Sequence, residues 1–205
     1  MNKLEDIYQN SKDLEEYATG YFDYLSNLLR SLNKKDIKNV VEEFQKARKN
    51  SNTIYFIGNG GSAATALHFA QDLENGTDIK KGTTRFRTES LVGNVSYLTA
   101  VANDSSFENV FVSQLKAKLN EGDVLVGISA SGNSPNLVKA FEYAKTRKAR
   151  TVGLLGFDGG KMKALSDVVV HVVTTKGEYG PVEDIHMVLD HVITTFLYFS
   201  ERDSK

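Results

Sequence analysis

Apolar positions along this chain follow two rhythms, and the change between them divides it. From residue 3 to about 32, Leu4, Ile7, Tyr8, Leu14, Tyr17, Ala18, Tyr21, Phe22, Leu25, Leu28, Leu29 and Leu32 recur at helical spacing, which predicts one long helix with an apolar stripe. Residues 35–49 give a second, more charged helical pattern. Beyond residue 50, short runs rich in Val, Ile and Leu alternate with helical patterns. Runs 53–57, 84–87, 124–128, 151–155 and 168–173 predict strands; 61–74, 94–102, 106–119, 134–147, 160–166 and 181–200 predict helices. Such alternation implies an α/β fold, a parallel sheet covered on both faces in three αβα layers. The leading helix, residues 1–34, stands apart from the α/β body, residues 35–205. It carries more apolar surface than one sheet face readily covers, so a contact with another subunit is expected beside its contact with the sheet.

Composition changes this picture little. The chain has 205 residues, 40% hydrophobic and 25% charged, with a formal net charge of -1, which suits a soluble domain with a real core and gives no overall nucleic-acid footprint. The absence of cysteine removes disulfides, thiolate catalysis and cysteine-type zinc sites, and is compatible with a reducing cytoplasm. No secretory pattern opens the chain and no apolar run is long enough to span a membrane. A cytoplasmic protein with neither nucleic-acid nor membrane partners is expected. Pro135 and Pro181 each sit where a helix should begin.

Candidate chemistry lies first in two glycine-serine loops. Each follows a strand-like run and precedes a helical one: Gly58-Asn59-Gly60-Gly61-Ser62, and Ser129-Ala130-Ser131-Gly132-Asn133-Ser134-Pro135. The first is no dinucleotide fingerprint, since Ala63 stands where the last glycine would be, and no Gly-Lys-Ser/Thr follows to make a phosphate loop of the Walker type. Glycine permits close approach of backbone to ligand, serine adds donors, and a helix start adds free N–H groups with a positive dipole end. A plain helix cap at Ser134 needs one hydroxyl; three serines cluster here. Both loops leave the carboxyl edge of a parallel sheet, where ligands of such sheets bind, so together they predict a phosphate site.

The run FIGNGGSAATALHFAQDL, followed by GISASGNSPNLVKAFEYA, with LTAVAND and GLLGFDGG between and after them, resembles the sugar isomerase (SIS) domain family, and its phosphoheptose isomerase branch in particular. The resemblance spans roughly residues 40 to 200. It implies a five-stranded parallel sheet flanked by helices, a homotetramer, and conversion of sedoheptulose 7-phosphate to a heptose 7-phosphate. It implies phosphate contacts from Ser62, Ser129, Ser131 and Ser134, with Asn59 and Gly60 in the same loops. Ala130 replaces a threonine common in the branch, and Asn94 aligns with an aspartate that approaches the sugar.

The resemblance also implies a zinc ion near the reacting carbons, held from two helices. His68 and Asp72, four residues apart, share a face of one helix; Glu183 and His191 lie along one stripe of the last. Both histidines match the family, whereas Asp72 replaces Glu and Glu183 replaces Gln. His68, Asp72, Glu183 and His191 form a suitable zinc set, with His191 and Asp72 as proton carriers. His186, about 140° round the helix from His191, should not share that ligand, and His171 is read as structural. The segment Lys176–Asp184 departs from the branch, which carries an arginine and an Ile-Gln-Glu run there. An isomerase of another sugar phosphate, or a non-catalytic SIS binding or assembly module, are the alternatives. The four residues read alternatively as solvated helix-face side chains.

Overall fold

Five parallel strands form one sheet in the computed structural model, which describes residues 2–77 and 84–203. They are β1 (Thr53–Gly58), β2 (Arg87–Ser90), β3 (Val124–Ser129), β4 (Arg150–Leu155) and β5 (Val168–His171), in the order β2-β1-β3-β4-β5. Phe56 faces Ser90 on one side and Val126 on the other, and Val126 pairs with Val152, which pairs with Val168. Every residue of β3 is buried, as its near-continuous apolar run requires of a strand covered on both faces. The expected strand over 84–87 lies three residues later. Phe86, which carried that expectation, is buried beneath the Arg48 guanidinium, 4.7 Å from its ring centre, and the ladder begins at Arg87.

Nine α-helices surround the sheet among the described residues: α1 (Lys3–Gln9), α2 (Leu14–Ser31), α3 (Lys34–Lys49), α4 (Gly61–Asn75), α5 (Val95–Asp104), α6 (Val112–Lys118), α7 (Pro135–Thr146), α8 (Gly160–Leu165) and α9 (Tyr179–Asp203). Helices α3, α4 and α9 pack together on one face; α6, α7 and α8 pack on the other. Phe44 of α3, Phe56 of β1 and Phe69 of α4 lock the first interface, with ring centres 5.0 to 6.2 Å apart. No helix among the described residues is long and apolar enough to cross a membrane.

The single leading helix expected from the apolar stripe is two helices. Asn10 ends α1, its Nδ2 donating to the Asp6 carbonyl, and Asp13 starts α2 by accepting from the Glu16 N–H at 3.0 Å. Short polar side chains here offer the backbone caps in place of continued helix. The pair is tied to the start of α9 by Glu178, which is fully buried and accepts from Lys3 N at 2.5 Å, Tyr24 Oη at 2.6 Å and Thr175 N at 3.2 Å. Leu14 and Phe22 of the stripe stay 78% and 67% exposed. The helix expected over 106–119 is likewise divided, into a 3-10 turn at Phe107–Asn109 and α6.

The strand order fixes where a ligand can sit. From β1 the chain crosses to β2 on one side, and from β3 to β4 on the other, so α4 and α7 diverge above the carboxyl ends of β1 and β3 and leave a crevice between them.

Candidate active site

A cavity of about 140 Å³ fills that crevice, lined by Asn59, Ser62, Ile128, Ser129, Ala130, Ser131, Ser134, Tyr179 and Glu183. All four serines expected to grip phosphate are therefore brought together. The Ser129 hydroxyl accepts from Gly132 N at 3.0 Å, and that of Ser131 from Asn133 N at 3.3 Å. These bonds set the curve of the loop and leave each hydroxyl a proton to donate. Ser134 stands at the N-cap position of α7, with Pro135 following, but its side chain makes no cap hydrogen bond. The expected cap is thus positional only, and Ser134 lines the cavity. Gly60, at the start of α4 with φ +55°, offers no side-chain cap either. Two helix starts with orphan N–H groups converge on one small space, which favours an anion.

Backbone contacts hold the loops in place. Gly132 has φ +60°, and a Cβ there would strike the Gly159 carbonyl; Met162 N donates to the Gly132 carbonyl at 3.0 Å. Asn59 and Asn136 exchange two side-chain hydrogen bonds, both 2.9 Å, joining the loop after β1 to the first turn of α7. Asn94 lies elsewhere: its side-chain oxygen accepts from Tyr97 N at 3.0 Å and caps α5, and it does not line the cavity.

A second group lies where α4 packs on α9. His68, Asp72, Asp190 and His191 each present a ligand atom, all within 4.8 Å of one another. His68 Nε2 is 3.3 Å from Asp72 Oδ2, and the two imidazoles meet edge to face with centres 5.2 Å apart. Glu183, expected in this group, is not part of it. It sits two turns earlier on α9, its carboxylate packed against Gly61; a Cβ at Gly61 would lie 2.6 Å from its Cδ. Burial, and then the charge of Asp184, push the Glu183 carboxyl above the usual range.

Asp190 supplies the second carboxylate instead, and sequence reasoning missed it. Its side chain is fully buried, neither oxygen has a hydrogen-bond partner, and burial together with the charge of Asp72 pushes its pKa to about 7. An unpaired buried carboxylate is costly unless a proton or a cation neutralises it. Two imidazoles and two carboxylates converging on one point are a donor set for a divalent ion, and the orphaned oxygens of Asp190 are the observation that such an ion would explain. The available signal was a lone aspartate inside the apolar run Ile185–Leu197.

The other two histidines stand where expected. His186 is fully buried on the inner side of α9, apart from the cluster; neither ring nitrogen makes a hydrogen bond of full geometry, and burial lowers its pKa to about 4 against a smaller opposing pull from the Leu155 backbone. His171, at the end of β5, lies 3.0 Å from the Phe157 carbonyl through Nε2 and 3.3 Å from Lys163 Nζ through Nδ1. Burial, then the Lys163 charge, lowers its pKa, and its contacts tie β5 to the loop after β4.

An anion pocket at the switch point, with imidazoles and carboxylates beside it, has the parts of a sugar-phosphate isomerase, and the chain belongs to the SIS domain family, which residues 20–156 match. Phosphoheptose isomerases are among its relatives. That of a Nitratiruptor species is 39% identical over 152 residues, covering 74% of this chain and 79% of the relative. One from Helicobacter pylori is 39% identical over 158 residues, covering 77% and 80%. Among solved structures, phosphoheptose isomerase from Neisseria gonorrhoeae superposes with a TM-score of 0.81 at 30% identity, covering 90% of this chain and 98% of that one.

Proposed function

We propose that this chain interconverts sedoheptulose 7-phosphate and an aldose heptose 7-phosphate through an enediol. The observation that carries this reading is the layout of α4. Ser62 lies in the anion pocket at its first turn, and His68 and Asp72 follow on the same helix, about 9 and 15 Å further along at 1.5 Å per residue. A sugar chain gripped by its phosphate at one end would present its carbonyl end to the second group. Remote binding of the phosphate thus positions the reacting carbons.

Aldose–ketose isomerisation moves a proton between adjacent carbons and needs one group to take it and another to protonate the carbonyl oxygen. His191 and Asp72 carry these protons. The contact with His68 orients the Asp72 carboxylate, and the edge-to-face contact with His68 restrains the His191 ring. His68, Asp72, Asp190 and His191 are the residues that would hold a divalent ion, for which zinc suits the donor set; it would supply positive charge beside the developing enediolate. The chain is read as a cytoplasmic homotetramer. Leu67, Val192, Phe196 and Phe199 are 45 to 56% exposed on α4 and α9, and Leu14 and Phe22 of α2 are exposed as well; such surface suits contact with further copies.

The test is turnover of sedoheptulose 7-phosphate by the purified protein with zinc supplied, alongside His191→Gln. Turnover abolished in the variant, with sugar-phosphate binding retained, supports the reading. Absence of turnover by the wild type despite tight binding of the sugar phosphate refutes it in favour of a binding module. A monomer in light scattering at all concentrations refutes the assembly.

A further inference from the structure

The serine cavity is shaped for an anion and yet carries no cation. Among the described residues, no lysine, arginine or histidine lines its 140 Å³. Its positive field comes from the N-termini of α4 and α7. Its one charged lining residue is Glu183. That side chain is half-buried, makes no hydrogen bond among the described residues, and lies against Gly61, where a Cβ would meet both carboxylate oxygens. Nothing packed around it balances its charge. Helix α4 presents Gly61 and Ser62, the two loops present hydroxyls and the Asn59 amide, and Tyr179 presents a phenol. Asp184, the next residue of α9, is a second carboxylate, and it accepts from Tyr21 Oη of α2 at 2.5 Å. Burial and the Asp184 charge already push the Glu183 carboxyl above its usual range. His68 lies seven residues beyond Gly61 on α4 and His191 eight beyond Glu183 on α9, about 10 and 12 Å along the helices.

Resting on the reading of this cavity as the phosphate site, we propose that Glu183 binds the phosphate as a neutral acid: capture of the sugar phosphate draws one proton from solution onto the Glu183 carboxyl, whose O–H donates to a phosphate oxygen. A phosphate monoester is largely a dianion above about pH 6. In so small a cavity the dianion and the carboxylate lie within a few ångströms, with no cation between them. Like charges that share a site raise the pKa of one partner strongly, and here the repulsion outweighs what it costs a carboxyl to hold a proton near neutral pH. The proton comes from water or buffer and ends on a carboxyl oxygen; no bond of the sugar changes. The step removes one negative charge and turns an acceptor into a donor, which joins the serine hydroxyls around the phosphate. An O–H to O⁻ bond of this kind is charge-assisted and strong. Proton and ligand are then linked. The bound state holds one proton more than the free protein and free ligand, so affinity falls as pH rises, by up to about tenfold per pH unit.

Calorimetric titration with sedoheptulose 7-phosphate, at about pH 7.5 in buffers of different ionisation enthalpy, counts the protons taken up, since the ligand is then a dianion before it binds. The wild type, Glu183→Gln and Glu183→Ala are compared, all with zinc supplied. The wild type should take up close to one proton per ligand. Glu183→Gln donates an amide N–H that needs no proton from solution, and Glu183→Ala has no group to protonate, so both should take up markedly less. Between about pH 7 and pH 8.5 the wild-type affinity should fall roughly 10- to 30-fold, and that of Glu183→Gln less than about threefold. Binding by the wild type without proton uptake means that the carboxylate swings aside still ionised, which overturns the proposal and leaves the pocket standing. Equal uptake in the wild type and both variants places the proton on the phosphate or on the histidine and aspartate cluster, and overturns it too. Failure of all three proteins to bind the sugar phosphate refutes the pocket, and the proposal with it.

Discussion

Replacing His186 by leucine should change the acid stability of this protein in a calculable way. The imidazole is fully buried without a hydrogen bond of full geometry, and burial, opposed only in part by the Leu155 backbone, depresses its pKa from 6.5 to about 4. The unfolded chain therefore takes up a proton below about pH 6.5 that the folded chain refuses until about pH 4. Stability from this group is present above the unfolded value and is lost as pH falls toward the folded one. The depression corresponds to a loss on the order of 3 kcal/mol across that window. Asp190 acts in the opposite sense. Its pKa is raised from 3.8 to about 7, so its contribution is present at low pH and is lost as pH rises through that range. The wild-type profile sums these two with the shifts of Glu183 and His171. The leucine variant keeps Asp190 and removes the imidazole, so the difference between the proteins isolates His186. Near neutral pH the variant should lie within about 2 kcal/mol of wild type, because deleting an unpaired buried polar group offsets the change of shape. Urea unfolding from about pH 7 to about pH 4.5, at one fixed protein concentration, measures the difference. The wild type should lose more stability than the variant on acidification. Parallel curves would refute the assignment of a buried neutral imidazole.

Three further outcomes are expected. Replacing Ser129 and Ser131 together by alanine should weaken sugar-phosphate binding by roughly 10- to 30-fold, at about 1 kcal/mol per lost hydrogen bond; an unchanged calorimetric affinity would remove the serine loop from the phosphate site. Asp190→Asn should lower zinc affinity at least about tenfold in a competition titration with a chromophoric chelator, whereas equal affinity in the variant would exclude Asp190 from the metal group. Gly132→Ala forces a side chain onto a residue with φ +60° and against the Gly159 carbonyl, which should cost about 1–3 kcal/mol or more in urea unfolding and loosen sugar-phosphate binding; wild-type behaviour in both measurements would refute the tight crossing of the two loops.

Where burial dictates sequence, the fold was legible. The runs at 53–57, 124–128 and 151–155 became central strands because residues covered on both faces are nearly all apolar. The edge strand Arg-Thr-Glu-Ser carries no such signal, so its apolar neighbour Phe86 drew the expectation upstream. The leading stripe gave the right helical rhythm, but periodicity does not register a break whose cause is two polar caps, Asn10 and Asp13. For the site, the serine loops were legible because glycine, serine and a helix start are local features. The cluster was only half legible, because it is assembled by the packing of α4 on α9. Residue spacing along α9 permits both Glu183 and Asp190 near His191; the tertiary contact brings in Asp190, burying it without a partner, and leaves Glu183 over Gly61.

The reciprocal bonds between Asn59 and Asn136 bear on the thermodynamics of ligand capture. Two independently mobile loops would each lose conformational freedom when a phosphate bound, at a cost to affinity. Here that loss is incurred during folding, since each amide donates to and accepts from the other and the loops behave as one body. The pocket is preorganised, so little of the interaction free energy is diverted to ordering its walls. The same linkage makes substitutions in the two loops interdependent: removing Asn136 leaves the Asn59 amide unpaired, removing Asn59 leaves Asn136 Nδ2 without its acceptor while Asn136 Oδ1 keeps the Leu137 N–H, and the second removal should cost less than the first.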